Sequence, residues 1–330
     1  MSKSLEKIGI NAKIAFENKI SNKKKNKVLN YYIQLIKKNQ NKILVENTKD
    51  IKIAKSKKLK ENLIKRLALN NDKISSIIKS IETIAKFKDP VDVDIETWKR
   101  PNGLKLKKVS IPIGIIGVIY ESRPNVTSDV STLCFKSGNC VILRGGSEAY
   151  FSNKILANLF RKSLEKYKIN KNFVQFIENK NRKLVDYMLS KMSKYIDVII
   201  PRGGKSLVKK VQDLSSVPVI GHLEGMCHTY IDKDANLSMA KKILINAKLR
   251  NTSICGATET LLIHKNKSKN VNEILNELTK RGCSIYADRK ISKLFNGNSR
   301  LANNKTWSKE HLSAKISVKL VNNINDAVNH

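Results

Sequence analysis

Residues 111–120 read Ile-Pro-Ile-Gly-Ile-Ile-Gly-Val-Ile-Tyr, an apolar run that is typical of a β-strand buried on both faces of a sheet. The next apolar run is Cys140–Leu143, and a segment with helical spacing, from about Val126 to Lys136, separates the two. Two buried strands joined by a helix predict a parallel pair with a crossover connection. This unit is the start of a doubly wound α/β sheet.

The same alternation extends along the chain. We expect helices near 153–166, 182–192 and 203–213, and strands near 173–176, 196–200 and 217–220. A second α/β unit follows, with helices near 237–249 and 271–280 and strands near 259–263, 284–286 and 316–320. The first 88 residues have helical spacing throughout. The sequence therefore predicts N-terminal helices and two domains, residues 1–235 and 236–330.

Residues 91–109 break the helical pattern. Apolar and polar residues alternate on both sides of Pro101-Asn-Gly103, which predicts an exposed β-hairpin. Two interpretations stay open, because such a hairpin can pack on a partner subunit or form a plain sheet edge.

The charge of the chain is strongly basic, with 64 Lys and Arg against 28 Asp and Glu, a net charge of +36. A nucleic-acid-binding protein is therefore one alternative function. The lysines are spread over the whole chain and aromatic residues are only 6% of it, which favours a solvated surface instead. The charge would also attract anionic ligands such as phosphorylated metabolites.

Cysteine usage and hydropathy indicate a cytoplasmic protein. Residues 1–20 alternate charged and apolar residues, so we expect no secretory signal, and no apolar run of about 18 residues predicts a membrane span. Its five cysteines are irregularly spaced and form no CxxC pair, which disfavours disulfides and a metal site.

Two strand-to-helix turns carry paired glycines, Val141-Ile-Leu-Arg-Gly-Gly-Ser-Glu148 and Ile200-Pro-Arg-Gly-Gly-Lys-Ser206. Glycine lets a ligand approach the backbone, and the N-terminus of the following helix offers unpaired N–H groups to phosphate. Neither turn has the GxGxxG pattern, and each alone is equally well explained as a tight turn. Together on one sheet they favour a nucleotide site.

Cys255 lies in Arg250-Asn-Thr-Ser-Ile-Cys-Gly-Ala-Thr-Glu259, between a predicted helix and a predicted strand. Small and polar neighbours would leave its thiol accessible, and the nearby Lys248 and Arg250 would favour the thiolate. The local pattern leaves two interpretations open, a nucleophile or a buried inert thiol.

Several motifs together resemble the gamma-glutamyl phosphate reductase family, also called glutamate-5-semialdehyde dehydrogenase, of the aldehyde dehydrogenase superfamily. The resemblance covers essentially the whole chain in order, and many family members carry Asn where Gly256 stands. The matching stretches are 111–147 with Tyr120-Glu-Ser-Arg-Pro-Asn-Val-Thr127, Ile200-Pro-Arg-Gly-Gly204, His222-Leu-Glu-Gly-Met-Cys-His228, Asn246-Ala-Lys248 and Cys255-Gly-Ala-Thr-Glu-Thr-Leu-Leu262. The resemblance implies an aldehyde dehydrogenase-like fold, with a Rossmann-type cofactor domain and a smaller catalytic domain.

The resemblance also implies the chemistry. The family reduces L-glutamyl 5-phosphate with NADPH to glutamate 5-semialdehyde and phosphate, in proline biosynthesis. Cys255 would form a thioester with the acyl group, and Asn125 would donate to the oxyanion. Glu224 is not assigned as a catalytic base that activates water. In the reverse direction of this reaction the nucleophile is phosphate rather than water. Another phosphate-dependent or hydrolytic aldehyde dehydrogenase on the same fold is the alternative.

The remaining expectations concern ligands and partners. The resemblance implies that Arg144 and Ser147 follow the strand end where the superfamily holds the adenosine ribose, and a cation there suits the 2′-phosphate of NADPH. The expected cofactor contacts are Arg144, Gly145, Ser147, Gly203 and Gly204, and the weaker substrate candidates are Arg123, Lys248 and Arg250. We also expect a homo-oligomer, a possible contact with the glutamate 5-kinase that makes the substrate, and a catalytic domain lacking the family's C-terminal segment.

Overall fold

The computed structural model describes residues 2–59, 61–221 and 225–330. The chain divides into two compact units, Met1–Leu223 and Glu224–His330. The boundary predicted after residue 235 is therefore placed too late in the chain. The strand His228–Ile231 lies before residue 235 and pairs with Thr260–His264, so it belongs to the second unit.

The first unit begins with helices, as predicted. In α5 (Asn71–Lys86) the apolar stripe faces inward, with Ile74, Ile77, Ile81 and Ile84 all buried. The Asn70 side chain caps this helix by accepting a hydrogen bond from the Lys73 N–H. The five helices are α1 (Ser2–Phe16), α2 (Asn22–Lys38), α3 (Gln40–Ser56), α4 (Glu61–Leu67) and α5 (Asn71–Lys86).

The predicted hairpin forms between β1 (Asp94–Lys99) and β2 (Lys105–Val109), which pair antiparallel. Gly103 has a φ of +88°, a left-handed conformation that explains the glycine in this turn. The sequence predicted one exposed face, whereas every described residue of both strands is exposed except the half-buried Leu106.

A four-stranded parallel sheet forms the centre of the first unit, in the order β5-β4-β3-β6. Both β3 and β4 are buried along their whole length. The strand predicted over residues 111–120 begins only at Ile115, and Ile111 and Ile113 before it are exposed. The elements are β3 (Ile115–Tyr120), α6 (Pro124–Lys136), β4 (Cys140–Gly145), α7 (Tyr150–Lys166), β5 (Val174–Phe176), α8 (Lys183–Lys191), β6 (Val198–Arg202) and α9 (Lys205–Leu214).

The second unit is built on a five-stranded parallel sheet, in the order β10-β9-β11-β8-β7. Its core is aliphatic, with Leu261, Ile263, Ile285 and Val318 buried at its centre. The elements are β7 (His228–Ile231), α10 (Leu237–Leu249), β8 (Thr260–His264), α11 (Val271–Thr279), β9 (Ser284–Ala287), α12 (Arg289–Leu294), β10 (Ser299–Leu301), α13 (Asn304–Trp307), β11 (Lys315–Val321) and α14 (Ile324–Asn329).

Sequence patterns failed for short elements. The strand expected at 217–220 is only a single bridge, between Val219 and Ile199. Conversely β7, β10, α12 and α13 were not predicted, because three to six residues carry too little periodicity to recognise. In the part of the chain that the structure describes, no helix is long and apolar enough to cross a membrane.

A buried carboxylate fixes the start of α7. Asp50 on α3 accepts hydrogen bonds from the Phe151 N–H at 3.1 Å, the Ser152 N–H at 2.8 Å and the Ser152 hydroxyl at 2.7 Å. Burial raises the pKa of Asp50, and these hydrogen bonds oppose that shift. The carboxylate thereby supplies partners for helix N–H groups that have none within α7.

We expect Asp50→Ala to lower the free energy of unfolding of the first unit by about 1–3 kcal/mol, because it leaves buried N–H groups without a partner. Asp50→Asn keeps one acceptor oxygen and should cost less. Urea unfolding measures both, with the exposed Asp213→Ala as the matched control. Equal midpoints for Asp50→Ala and the control would contradict this assignment.

Candidate active site

A cavity of about 560 Å³ lies in the first unit, where β3 and β4 end and α9 begins. Its volume is within the range of small-molecule sites, about 300–1,000 Å³. Ligands of open α/β sheets bind at this edge. The lining residues are Ile53, Ala54, Lys57, Leu59, Leu63, Ile119, Tyr120, Glu121, Ser122, Arg144, Gly145, Gly146, Ser147, Glu148, Arg182, Val185, Ser206, Leu207 and Lys210.

The turn after β3 is held by an acid from the turn after β4. Glu148 accepts hydrogen bonds from the Ser122 N–H at 2.7 Å and from its hydroxyl at 2.9 Å. Ser122 has a φ of +41°, which is uncommon for a residue other than glycine. The carboxylate folds back over Gly146, where a Cβ would come within 2.1 Å of it. The glycine at 146 therefore makes this closure possible.

Arg144, expected to contact a 2′-phosphate, lines the cavity but is buried. Its guanidinium donates to the carbonyl oxygen of Gly145 and, at 3.1 Å, to that of Lys180. Burial lowers the pKa of Arg144, and the nearby Glu148 opposes this effect. Several of the guanidinium N–H groups of Arg144 thus donate to main-chain carbonyl oxygens.

Gly145 is a packing requirement as well as part of the lining. A Cβ at this position would lie 2.2 Å from Nδ2 of Asn153 and 3.1 Å from the Tyr120 ring. The absent side chain leaves room for a buried chain of hydrogen bonds. The Tyr120 hydroxyl is 2.6 Å from that of Thr127, which in turn donates to Oδ1 of Asn153 at 2.9 Å.

Gly203 and Gly204 form the turn before α9, as predicted, but an acid of the protein occupies the helix N-terminus. Glu121 accepts a hydrogen bond from the Gly204 N–H at 2.9 Å. A Cβ at Gly203 would lie 2.7 Å from this carboxylate and 2.6 Å from Leu207. The two glycines are not in the cavity lining, whereas Glu121, Leu207 and Ser206 are.

Asn125, expected to donate to the oxyanion, is half-buried in the first turn of α6, next to Pro124. Its Nδ2 donates to Oδ2 of Asp129 at 3.0 Å, and the Ser80 hydroxyl donates to the other oxygen at 3.0 Å. Burial raises the pKa of Asp129, while both hydrogen bonds oppose that shift. Arg123, a weaker substrate candidate, is the N-cap residue of α6.

In the second unit Cys255 is exposed, in the turn between α10 and β8. Cys134, Cys140 and Cys283 are buried, and burial raises the pKa of each of these thiols. At Gly256 the nearest atom to an added Cβ is Cδ1 of Ile254, at 4.0 Å. The structure therefore leaves open space for a Cβ at this position.

The half-buried Cys227 supports the Cys255 turn. Its Sγ donates to the Cys255 carbonyl oxygen at 3.2 Å, while its own carbonyl accepts from the Glu259 N–H at 2.8 Å. Burial raises the pKa of the Cys227 thiol, and the proximity of Cys255 adds to this effect. The thiol at 227 is thus protonated at neutral pH and available as a donor.

Lys248, expected as a substrate contact, is instead buried in an ion pair. Its Nζ lies 3.1 Å from Oε2 of Glu259, and the two side chains are 0% and 1% exposed. Glu259 also accepts hydrogen bonds from the N–H groups of His311 at 3.0 Å and Leu312 at 3.3 Å. Because the ammonium is fully buried in this pair, Lys248 does not present it to a phosphate at the surface. Arg250 remains exposed.

The pKa of a neighbouring histidine is affected by burial and by the charge of Lys248. His311 stacks on Tyr286, and burial lowers its pKa to about 4, with Lys248 adding to the shift. The imidazole is therefore neutral at physiological pH. Glu224, which received no catalytic role, and His222 lie outside the described residues.

Comparisons with known proteins identify the family. A model of the aldehyde dehydrogenase family matches residues 2–285. The gamma-glutamyl phosphate reductase of Bartonella tribocorum is 42% identical over 310 residues, which are 94% of this chain and 76% of that protein. The chain belongs to the aldehyde dehydrogenase family. Within it the chain is one of the gamma-glutamyl phosphate reductases, which are oxidoreductases.

Solved structures of such reductases agree. The crystal structure of the enzyme from Thermotoga maritima matches with a TM-score of 0.91 at 36% identity, covering 99% of this chain and 79% of that one. The enzyme from Saccharomyces cerevisiae matches with a TM-score of 0.62 at 30% identity, covering 98% and 82%. The predicted fold class, aldehyde dehydrogenase-like α/β, is thereby confirmed.

Several lining residues of this reductase escaped the sequence analysis. Glu121 and Glu148 stood within the quoted motifs, but their role depends on which N–H groups fold toward them. Lys57 and Arg182 come from the end of α3 and the start of α8. No motif joins those positions to the glycine turns, so only the tertiary structure brings them together.

Proposed function

We propose that the chain reduces L-glutamyl 5-phosphate with NADPH, giving L-glutamate 5-semialdehyde and phosphate through a thioester on Cys255. The observation that carries this proposal is the exposed thiol of Cys255 in the α10–β8 turn of a chain from the reductase family. Family membership supports this proposal over a nucleic-acid-binding function, and over a hydrolytic dehydrogenase on the same fold.

The proposed reaction begins with attack of the Cys255 thiolate on the acyl carbon. A new S–C bond forms, the C–O bond to phosphate breaks, and phosphate leaves with the electron pair. The carbonyl oxygen carries a negative charge in the tetrahedral intermediate, and we assign the Asn125 amide and the Cys255 N–H as its donors. Collapse of the reduced thiohemiacetal then returns the thiolate and releases the aldehyde.

We assign the cavity at the ends of β3 and β4 as the dinucleotide site, which its volume and position at the sheet edge support. Its floor is the glycine turn at 145–146, and its charged lining includes Lys57, Arg144 and Arg182. Bound NADPH would supply the hydride that reduces the thioester. In this assignment Ser147 contacts the ribose, while the turn of Gly203 and Gly204 borders the pyrophosphate. The pyrophosphate then competes with Glu121 for the Gly204 N–H.

The nucleophile is tested by Cys255→Ser. We expect turnover to fall by at least about 10³-fold, because a serine hydroxyl is not ionised at neutral pH. NADPH affinity should change less than about twofold, since the cofactor contacts remain. Cys227→Ser is the matched control, because serine keeps the hydrogen-bond donor to the Cys255 carbonyl. Retained turnover in Cys255→Ser would overturn the thioester mechanism.

Cofactor choice is tested at Arg182, which is exposed in the cavity lining, whereas Arg144 is engaged with main-chain carbonyls. We propose that Arg182, together with Arg144, binds the 2′-phosphate. Arg182→Ala should weaken NADPH binding by roughly tenfold, about 1.4 kcal/mol, and leave NADH binding unchanged. Nucleotide fluorescence titrations measure both, with Lys183→Ala as the control. An equal loss for the two nucleotides would argue against a role at the phosphate.

We also propose that the β1–β2 hairpin joins subunits of a homo-oligomer. Its exposed apolar side chains include Ile95, 59% exposed, and Trp98, 41% exposed. Removing such surface from water favours association. The free thiols fit a reducing cytoplasm. Contact with the glutamate 5-kinase stays a prediction.

The hairpin proposal predicts a change of mass in solution. Ile95→Glu combined with Trp98→Glu should shift the protein to a smaller assembly in light scattering, because charge would be buried at the interface. The control changes Lys99 and Lys105, a facing pair near the hairpin tip, to Glu. An unchanged mass for the apolar double variant would exclude the hairpin as the interface.

A further inference from the structure

The backbone of the first turn of α6 is fixed independently of the Asn125 side chain. Thr127 lies two residues after Asn125, and its buried hydroxyl connects α6 to Tyr120 of β3 and to Asn153 of α7. Ser131 and Thr132 are buried one turn further on the same helix. The Cα of Asn125 is therefore held on two sides, and only its side-chain torsions remain to be set.

An asparagine side chain has two chemically different ends. Its carbonyl oxygen accepts hydrogen bonds and its NH₂ group donates two, so a rotation of 180° exchanges acceptor for donor. An asparagine that stabilises an oxyanion must present the NH₂ group to the substrate. In the wrong orientation, the carbonyl oxygen would face the developing negative charge and repel it.

Asp129 selects one of these two orientations. A carboxylate only accepts hydrogen bonds, so the NH₂ group of Asn125, not its carbonyl, faces it, with Nδ2 at 3.0 Å from Oδ2. One of the two N–H bonds on Nδ2 of Asn125 is thereby used, and the other remains available as a donor. Among the described residues, no other side-chain hydrogen bond of Asn125 is found, and the residue is half-buried.

Ser80 fixes Asp129 from another element. Its hydroxyl, on α5, donates to Oδ1 of Asp129 at 3.0 Å, while Asn125 occupies Oδ2. Both carboxylate oxygens are therefore engaged, one by its own helix and one by a neighbouring helix. A pair spaced i, i+4 on a single helix would be a modest surface interaction, but the third member from α5 prevents the carboxylate from rotating away.

We propose that Asp129, held by Ser80, is a positioning residue for the reduction, since it fixes the Asn125 amide with its second N–H toward the oxyanion. This inference rests on the proposed role of Asn125. Asp129 itself does not touch the substrate in this arrangement. Its effect on the reaction passes entirely through Asn125.

A double-mutant cycle in turnover tests the inference. Asp129→Asn presents an NH₂ group as well as a carbonyl, which allows the Asn125 amide to rotate, so kcat should fall about 10- to 100-fold with little change in KM. This is less than the roughly 10²–10³-fold loss on removing an oxyanion donor. In the Asn125→Ala background, Asp129→Asn should cause no further loss. Ser80→Ala should give a smaller fall, and Ser80→Thr, which keeps the hydroxyl, should restore kcat.

The outcomes separate this inference from the proposed function. If the two effects multiply, or if kcat of Asp129→Asn equals that of the parent, Asp129 does not act through Asn125. If Asn125→Ala keeps full turnover while Cys255→Ser has none, the oxyanion role of Asn125 and this inference fail, but the thioester mechanism stands. Thermal unfolding of each variant is measured in parallel, and a fall in kcat of Ser80→Ala that tracks a lower melting temperature would also overturn the inference.

Discussion

The buried hydroxyl of Tyr120 constrains the whole carboxyl edge of the first sheet. A phenol removed from water needs a hydrogen-bond partner, and burial raises the pKa of Tyr120, so it remains protonated. The partner is Thr127, which is hydrogen-bonded in turn to Asn153. Gly145 is required because any side chain there would collide with Asn153. One hydrogen-bonded chain thus positions the end of β3, the start of α6 and the glycine turn together.

The second unit depends on a different buried group. Lys248 and Glu259 are an ion pair almost without exposure, and breaking such a pair by removing one partner costs several kcal/mol. Glu259 follows the Cys255 turn and Lys248 precedes it, so the pair closes the loop that carries the thiol. Because Glu259 also accepts from the N–H groups of His311 and Leu312, the same carboxylate fixes the segment before β11. The turn that carries the exposed Cys255 thiol is therefore held at both ends by this buried pair.

The sequence predicted the parts of the molecule whose signals are local. Buried strands such as β3 and β4 appeared as apolar runs, and the ordered motifs around Cys255 identified the family. It misjudged Lys248, because a lysine near a cysteine has the same local pattern whether its ammonium is exposed or buried. It also did not single out Asp129 and Arg182, since the roles proposed for them depend on Ser80 of α5 and on the cavity lining next to α8. Pairings between distant elements leave no periodic trace in a single chain.

Four acids of this basic chain have a role that the charge count alone conceals. With 28 Asp and Glu against 64 Lys and Arg, every acid could pair with a surface cation at little benefit. Instead Asp50, Glu121, Glu148 and Glu259 each accept from main-chain N–H groups at a turn or helix start. A charged acceptor makes a stronger hydrogen bond than a neutral one, and it is best used where loops have no ladder partner. These four carboxylates therefore stabilise turns and helix starts within their own units, where a surface ion pair would contribute little.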